Sequence, residues 1–180
     1  DHYSLAASSS GYAHSSVSRH IKERGLGGLI FWNGNNQSGI AFRQAISNYT
    51  QAASEAGFAT PIFSVDHEGS SVQRLRSRHG FTTLKNGSQL GSNPDLCKVH
   101  GQIMGRELES IGINMALATV ADLYDRHSST RAMFRDRGIS SDPNIVASCL
   151  SDIFSGVSES NVIYNTKHFP GLGRATGNTD

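Results

Sequence analysis

Val162-Ile163-Tyr164-Asn165-Thr166-Lys167-His168-Phe169-Pro170-Gly171-Leu172-Gly173 is the stretch on which the reading of this chain turns. Its first three residues are apolar and predict a buried strand of a parallel sheet. Directly after them come a cation, an imidazole and Pro-Gly-x-Gly. A strand that delivers charged groups into a glycine-rich loop places them at the carboxyl edge of a sheet, where α/β proteins bind ligands. On spacing alone, an ordinary α/β unit with a polar strand end is an equal alternative.

Upstream, the same alternation recurs. Ser4 to Ala7 is a candidate clipped first strand. Residues 13–24 predict a helix with Val17, Ile21 and Arg24 on one side, ended by Gly25. Gly27 to Trp32 reads as a strand stopped by Asn33-Gly34-Asn35-Asn36. Phe42, Ile46, Tyr49, Ala53 and Ala56 step by four and three, the stripe of an amphipathic helix closing at Gly57. Pro61 to Asp66 is the next strand, and Asp66 to Arg76 reads as a charged loop at its carboxyl end, where surface ion pairs are the plain alternative. Asn93 caps a helix with Pro94 at its first position and Leu96, Val99, Ile103, Met104, Leu108 and Ile111 as its core stripe. A strand over Ile113 to Asp122 leads into a long polar loop, 123–141. Asp142 and Pro143 then open a helix that buries Val146, Leu150, Ile153 and Val157. Strand and helix alternating with short connections predict parallel βαβ units. Met104 and Met115 lie in apolar segments and read as core filler.

Composition narrows the function classes. The chain has 180 residues, enough for one domain with a core. Sixteen basic residues against fifteen acidic ones give no field for nucleic acid or an anionic membrane. Arg126, Arg131, Arg135 and Arg137 cluster, but Asp125 and Asp136 offset them and no aromatic residues interleave, which argues against nucleic acid. No apolar run approaches the ~20 residues of a membrane span. No signal peptide is visible at Asp1, so the expectation is a cytoplasmic or an already processed chain. Cys97 and Cys149 lack metal-site spacing; two buried free thiols are the favoured reading, and a disulfide is the alternative for a secreted protein. No metal or cofactor is implied. Asn36-Gln37-Ser38, Asn48-Tyr49-Thr50 and Asn86-Gly87-Ser88 match the glycosylation triplet, which often arises by chance.

Lys167-His168-Phe169-Pro170-Gly171-x-Gly173 resembles the KHFPGxG signature of glycoside hydrolase family 3, in its β-N-acetylhexosaminidase branch. Asp66-His67-Glu68-Gly69-Ser70-Ser71-Val72-Gln73-Arg74 is similar to that family's Asp-Gln-Glu-Gly-Gly-x-Val-x-Arg; Asp66, Glu68, Gly69, Val72 and Arg74 match, and His67 and Ser70 depart. A serine in place of glycine at position 70 alters the backbone if the turn needs positive φ. Gly105-Arg106-Glu107-Leu108 to Gly112-Ile113-Asn114 resembles the helix-to-strand passage GxEL…xGIN. Ala118-Thr119-Val120-Ala121-Asp122 stands where the family shows Ala-Pro-Val-x-Asp, and threonine suits a strand. Arg135 to Pro143 resembles xRSFGxDP, with Arg137 on its arginine and Gly138, Ile139 and Ser140 departing.

The resemblance runs from about Gly27 to Asp180. It implies a (β/α)₈ TIM-barrel-like fold, of which about five βα units, the doubtful first included, are present. Since such barrels typically take ~250 residues, the chain is expected to be the amino-terminal part of a single barrel domain. It implies a retaining glycoside hydrolase that removes terminal β-linked N-acetylhexosamine, with N-acetylglucosamine from cell-wall (peptidoglycan) fragments as the expected substrate. A β-glucosidase-like member and a non-catalytic sugar-binding or structural fragment are the alternatives. A sugar offers several hydroxyls, and telling them apart takes groups that exchange paired hydrogen bonds. By resemblance, Asp66, Arg74, Arg137, Lys167 and His168 line the glycone subsite. The family's nucleophile is an Asp after a later strand, and nothing in this chain matches it. The branch's Asp-x-His acid/base falls on Asn178 and Asp180, and Leu172 replaces a histidine inside the signature. Asp180 is therefore the tentative acid/base, with a solvated Asp or another proton donor as the alternatives. The Gly-Arg-x-Thr-x-Asn-Thr-Asp variant resembles secreted or lipid-anchored members, which makes a secreted or cell-surface location the expectation and a cytoplasmic one the alternative.

Overall fold

A computed structural model describes residues 15–32, 38–69, 71–123, 134, 136–173 and 175. The expected first strand Ser4 to Ala7, the turn Asn33 to Asn36, Ser70, Asp125, Arg126, Arg131, Arg135, Asn178 and Asp180 lie outside these described residues. The helices are α1 (Ser15–Arg24), α2 (Gly39–Glu55), α3 (Gly87–Ser92), α4 (Leu96–Ser110) and α5 (Pro143–Val157), with a 3₁₀ turn at Ser77–His79. The strands are β1 (Gly28–Phe31), β2 (Ile62–Gly69), β3 (Val72–Gln73), β4 (Met115–Val120) and β5 (Ile163–Lys167).

β1, β2, β4 and β5 lie side by side in chain order and are parallel throughout. Consecutive parallel strands in one order, each joined by a helical crossover, are the arrangement the alternating pattern predicts. Side chains alternate across the strands. Leu29, Phe63, Val65 and Ala116 are buried on the side that carries α2, α4 and α5. The other face carries Ile30, Ser64 and Ile163 low down, and Asp66, Glu68 and Lys167 toward the carboxyl ends. Ile163 on this second face is 53% exposed, so the Val162-Ile163-Tyr164 run is not the wholly buried strand its composition suggests.

Local chemistry fixes the register. Asn114, from the helix-to-strand passage, accepts from the Phe63 N–H through Oδ1 at 2.7 Å and donates from Nδ2 to Pro61 O at 3.1 Å. It closes the start of β4 against β2 as a backbone pair would. Between Leu117 and Val120 the pairing with β5 slips by one residue, a β-bulge, and Thr119 there has φ +48°. Threonine was expected to suit a regular strand; instead this β-branched residue sits in the left-handed region, where it is an outlier. The bulge re-aims the chain that leads to Asp122.

Other expectations need correction. The segment after Asp66 is not a loop at first: β2 continues through Gly69 and turns back as β3, because His67 and Gly69 pair with Gln73 and Val72. β4 is shorter than the expected Ile113 to Asp122. Asn93 does not cap α4, which begins at Leu96; it ends α3, a helix opened instead by Asn86, whose Oδ1 accepts from Gln89 N at 2.9 Å. Leu96 and Val99 are exposed, as is Arg24 on α1. The buried face of α4 is Cys97, His100, Gly101, Met104, Gly105 and Leu108. A count of apolar side chains passes over glycine and histidine and so rotates the predicted stripe.

That face explains a very close contact in the fold. A Cβ on Gly101 would meet the Ile153 carbonyl, and one on Gly156 the backbone of Lys98 and Gln102. α4 and α5 therefore touch backbone to backbone. They are also bonded: Cys97 and Cys149 form a disulfide with Cα atoms 5.4 Å apart. The free-thiol reading is overturned, because helix packing brings two buried cysteines 52 residues apart into bonding range. Asp142 caps α5 as expected, accepting from Asn144 N at 2.8 Å, with Pro143 following.

Candidate active site

Charged side chains converge where β2, β4 and β5 end. Lys167, the last residue of β5, reaches across the sheet. Its Nζ lies 2.6 Å from Asp66 Oδ1 and 2.7 Å from Glu68 Oε1, and donates to Leu117 O at 3.0 Å. Arg137 makes a two-pronged pair with Glu68, Nε to Oε2 and Nη2 to Oε1, each 2.8 Å. The fork matches the carboxylate plane, the two-bond geometry that makes such a pair both strong and directional. Arg74 Nη2 is 3.6 Å from Asp66 Oδ2, and its guanidinium carbon lies 4.9 Å from the centre of the Trp32 ring. His168 follows Lys167 through a cis peptide, and its Nε2 is 3.4 Å from Arg137 Nη2.

The five residues expected to bind a sugar, Asp66, Arg74, Arg137, Lys167 and His168, are thus brought together in one basin. Asp180 lies outside the described residues. Two further residues support the basin, and sequence reasoning gave neither a role. Glu68 matched a motif position but was assigned no function; both its oxygens are engaged by Arg137 and Lys167, so it holds two cations in place. Asp122 also matched a motif position. Its Oδ2 accepts from His168 N at 3.0 Å and lies 2.7 Å from His168 Nδ1, while Oδ1 accepts from Leu172 N.

The framework behind these groups is equally specific. Buried Gln73 donates from Nε2 to Leu75 O at 2.7 Å and Thr82 O at 2.6 Å, and its Oε1 accepts from Leu84 N. It closes the segment that carries Arg74 back over β2. Gly69, at φ +99°, stands where a Cβ would strike the Lys85 carbonyl. Gly87 and Gly91 of α3 let the backbone of Arg137 to Ile139 lie directly on that helix. His67, by contrast, points away from the basin. It is fully buried, and burial, reinforced by His100 nearby, lowers its pKa to about 3.

Three cations stand against two carboxylates in this basin. The ion pair of Asp66 Oδ2 with Arg74 is long, 3.6 Å, against 2.6 Å for Oδ1 with Lys167. Oδ2 keeps capacity to accept from a hydroxyl. Donors on Arg74, Arg137 and Lys167 surround it, which is the mixed pattern that paired hydroxyls require. Among the described residues no group of three or more His, Cys, Asp or Glu side chains is arranged to hold a metal ion.

Residues 6–180 match the model of the glycosyl hydrolase family 3 N-terminal domain. The chain belongs to that family. Among curated family 3 relatives, the β-hexosaminidase of Hydrogenovibrio crunogenus is 31% identical over 89% of this chain and 46% of its own length. That of Nitrosomonas eutropha is 30% identical over 86% and 44%. The chain spans about half the length of these relatives. Among solved structures, a β-N-acetylhexosaminidase from Beutenbergia cavernae superposes with a TM-score of 0.83 at 27% identity, covering 99% of this chain and 54% of that one. A family 3 β-N-acetylglucosaminidase from a Paenibacillus species gives 0.82 at 26% identity, with 90% and 30% covered. The four parallel strands are therefore the amino-terminal portion of a family 3 TIM-barrel-like domain, and the basin lies at the carboxyl-terminal mouth of its strands.

Proposed function

We propose that the protein carrying this chain is a retaining glycoside hydrolase that removes terminal β-linked N-acetylhexosamine, specifically N-acetylglucosamine from cell-wall fragments. The observation that carries this reading is the convergence of Asp66, Arg74, Arg137, Lys167 and His168 in one basin from β2, β5 and the segments that follow β3 and β4. The names of the similar proteins, β-hexosaminidase and β-N-acetylglucosaminidase, support the sugar.

In this reading the basin binds the terminal sugar and does not itself break the bond. Asp66 Oδ2 accepts from a hydroxyl, and Arg74 and Lys167 donate to the same pair of oxygens. Arg137, held by Glu68, frames the opposite side. Retaining hydrolysis takes a carboxylate nucleophile and an acid/base on opposite sides of the bond. The nucleophile comes from beyond these 180 residues, and Asp180 is the candidate acid/base. The buried Cys97–Cys149 disulfide supports a secreted or cell-surface location, since such bonds persist in oxidising compartments.

The test is hydrolysis of chromogenic β-N-acetylglucosaminide and β-glucoside by the natural full-length protein. Turnover of the first, lost in Asp66→Ala and Arg74→Ala, is the expected result. A folded protein that cleaves only the glucoside, or neither, overturns the proposal.

A further inference from the structure

His168 has two ring nitrogens, and the surroundings of each decide where its proton sits. Nδ1 lies 2.7 Å from Asp122 Oδ2. A carboxylate oxygen offers only lone pairs, so Nδ1 carries the proton. Nε2 lies 3.4 Å from Arg137 Nη2. A guanidinium only donates, and Arg137 is pinned by its fork on Glu68, so a proton on Nε2 would set donor against donor. Nε2 therefore carries a lone pair, and at 3.4 Å its contact with Arg137 Nη2 is long enough that a nearer hydroxyl can take that lone pair over.

We propose that Asp122 is a positioning residue that fixes His168 in the Nδ1–H form, so that Nε2 meets the sugar as an acceptor of a hydroxyl proton. This rests on the glycone reading given above. The imidazole could otherwise serve as donor or acceptor; its role is chosen by a carboxylate that stays outside the basin. Asp122 is well suited to this. Its side chain is 1% exposed, and it follows the β4 bulge that re-aims the chain. Its two oxygens take three donors: the ring Nδ1–H, the His168 backbone N–H and the Leu172 backbone N–H. One side chain thus sets both the ring and the turn of the Pro-Gly-x-Gly loop.

The arrangement has a sharp chemical consequence. Asparagine is nearly the same shape but has one acceptor oxygen. Whichever way its amide is turned, an NH₂ group faces at least one of the three donors. Either the loop N–H at Leu172 or the pair of donors on His168 loses its partner.

The experiment uses the natural full-length protein labelled with ¹⁵N-histidine, with the His168 signals assigned by their loss in His168→Gln. Long-range ¹H–¹⁵N spectra report the tautomer directly. The expected wild-type result is a protonated-type Nδ1 and a lone-pair-type Nε2. Asp122→Asn is expected to mix or reverse the tautomers and to weaken N-acetylglucosamine binding, read by calorimetry, about tenfold, the scale of one buried donor left without a partner. A wild-type His168 protonated at Nε2 overturns the proposal even if the variant fails to fold. So does an Asp122→Asn protein that keeps both tautomer and affinity. If the wild-type tautomer is as expected but no sugar binds, the glycone reading fails while the tautomer assignment stands.

Discussion

Acidification from pH 7 to pH 5 should remove about 4 kcal/mol of folding stability through two histidines on the helix-facing side of the sheet, behind the basin. His67 on β2 and His100 on α4 are both buried between sheet and helices, and none of their four ring nitrogens has a hydrogen-bond partner among the described residues. Burial lowers the pKa of His100 to about 4; burial, then the neighbouring His100, lowers that of His67 to about 3. Unfolded, each titrates near ~6.5. The folded chain therefore binds fewer protons than the unfolded chain between these values, and stability rises with pH there. At pH 5 each unfolded histidine gains about 2 kcal/mol from protonation that the folded state cannot match, against about 0.2 kcal/mol at pH 7. The loss begins as pH falls through the unfolded value and levels off near pH 3 to 4, where the folded histidines also protonate. Against a total of about 5–15 kcal/mol, the difference is large.

Urea unfolding at pH 7, 6 and 5, followed by circular dichroism, reads the loss. Carboxylates remain largely ionised across that window, so they add little slope. His67→Gln and His100→Leu should each remove about half of the pH dependence that the pair contributes, and the double variant nearly all of it, leaving the smaller share of His79, whose pKa burial also lowers. A double variant with the wild-type slope would refute the assignment, whatever its stability at pH 7.

Three further outcomes follow from contacts around the basin. Lys167→Met leaves Asp66 and Glu68 without their shared cation and should cost about 3 kcal/mol in denaturant unfolding, together with loss of sugar binding. An unchanged unfolding midpoint would show that the two carboxylates do not depend on it. Gly91→Ala pushes a methyl group into the Ile139 carbonyl and should destabilise by about 1–3 kcal/mol while loosening Arg137, seen as a lower Tm and a weaker Kd for N-acetylglucosamine. Trp32→Leu removes the ring over Arg74 and should weaken the same Kd about two- to fivefold, with Trp32→Phe recovering part of it; equal affinities in all three proteins would remove the ring from the account.

The alternation of apolar strands and amphipathic helices was legible because it is written locally, in periods of two and near four. So were Asp66, Arg74, Arg137, Lys167 and His168, since each falls in a motif at a strand end. The roles of Glu68 and Asp122 were not legible. Glu68 pairs with Arg137 across 69 positions, and Asp122 with His168 across 46. No local pattern states which distant partner a carboxylate will meet. The disulfide was misjudged for a related reason: the glycines that bring α4 and α5 into backbone contact look neutral in a hydropathy pattern.

The departures from the family pattern show what each position supplies. Leu172 stands in place of a histidine, yet its contribution to the loop is a backbone N–H to Asp122, which any residue but proline provides. Gly138, Ile139 and Ser140 replace Ser-Phe-Gly, yet Arg137 keeps its fork on Glu68. Its placement comes from elsewhere: Gly138 bridges to Val120, Ile139 is buried, and the Arg137 and Ile139 carbonyls rest on the two glycines of α3. His67 departs on the helix-facing side of β2, behind the charged residues of the basin. At these described positions the substitutions change side chains while the geometry they support is set by backbone contacts. A loose match in sequence is therefore compatible with a basin built from the expected residues.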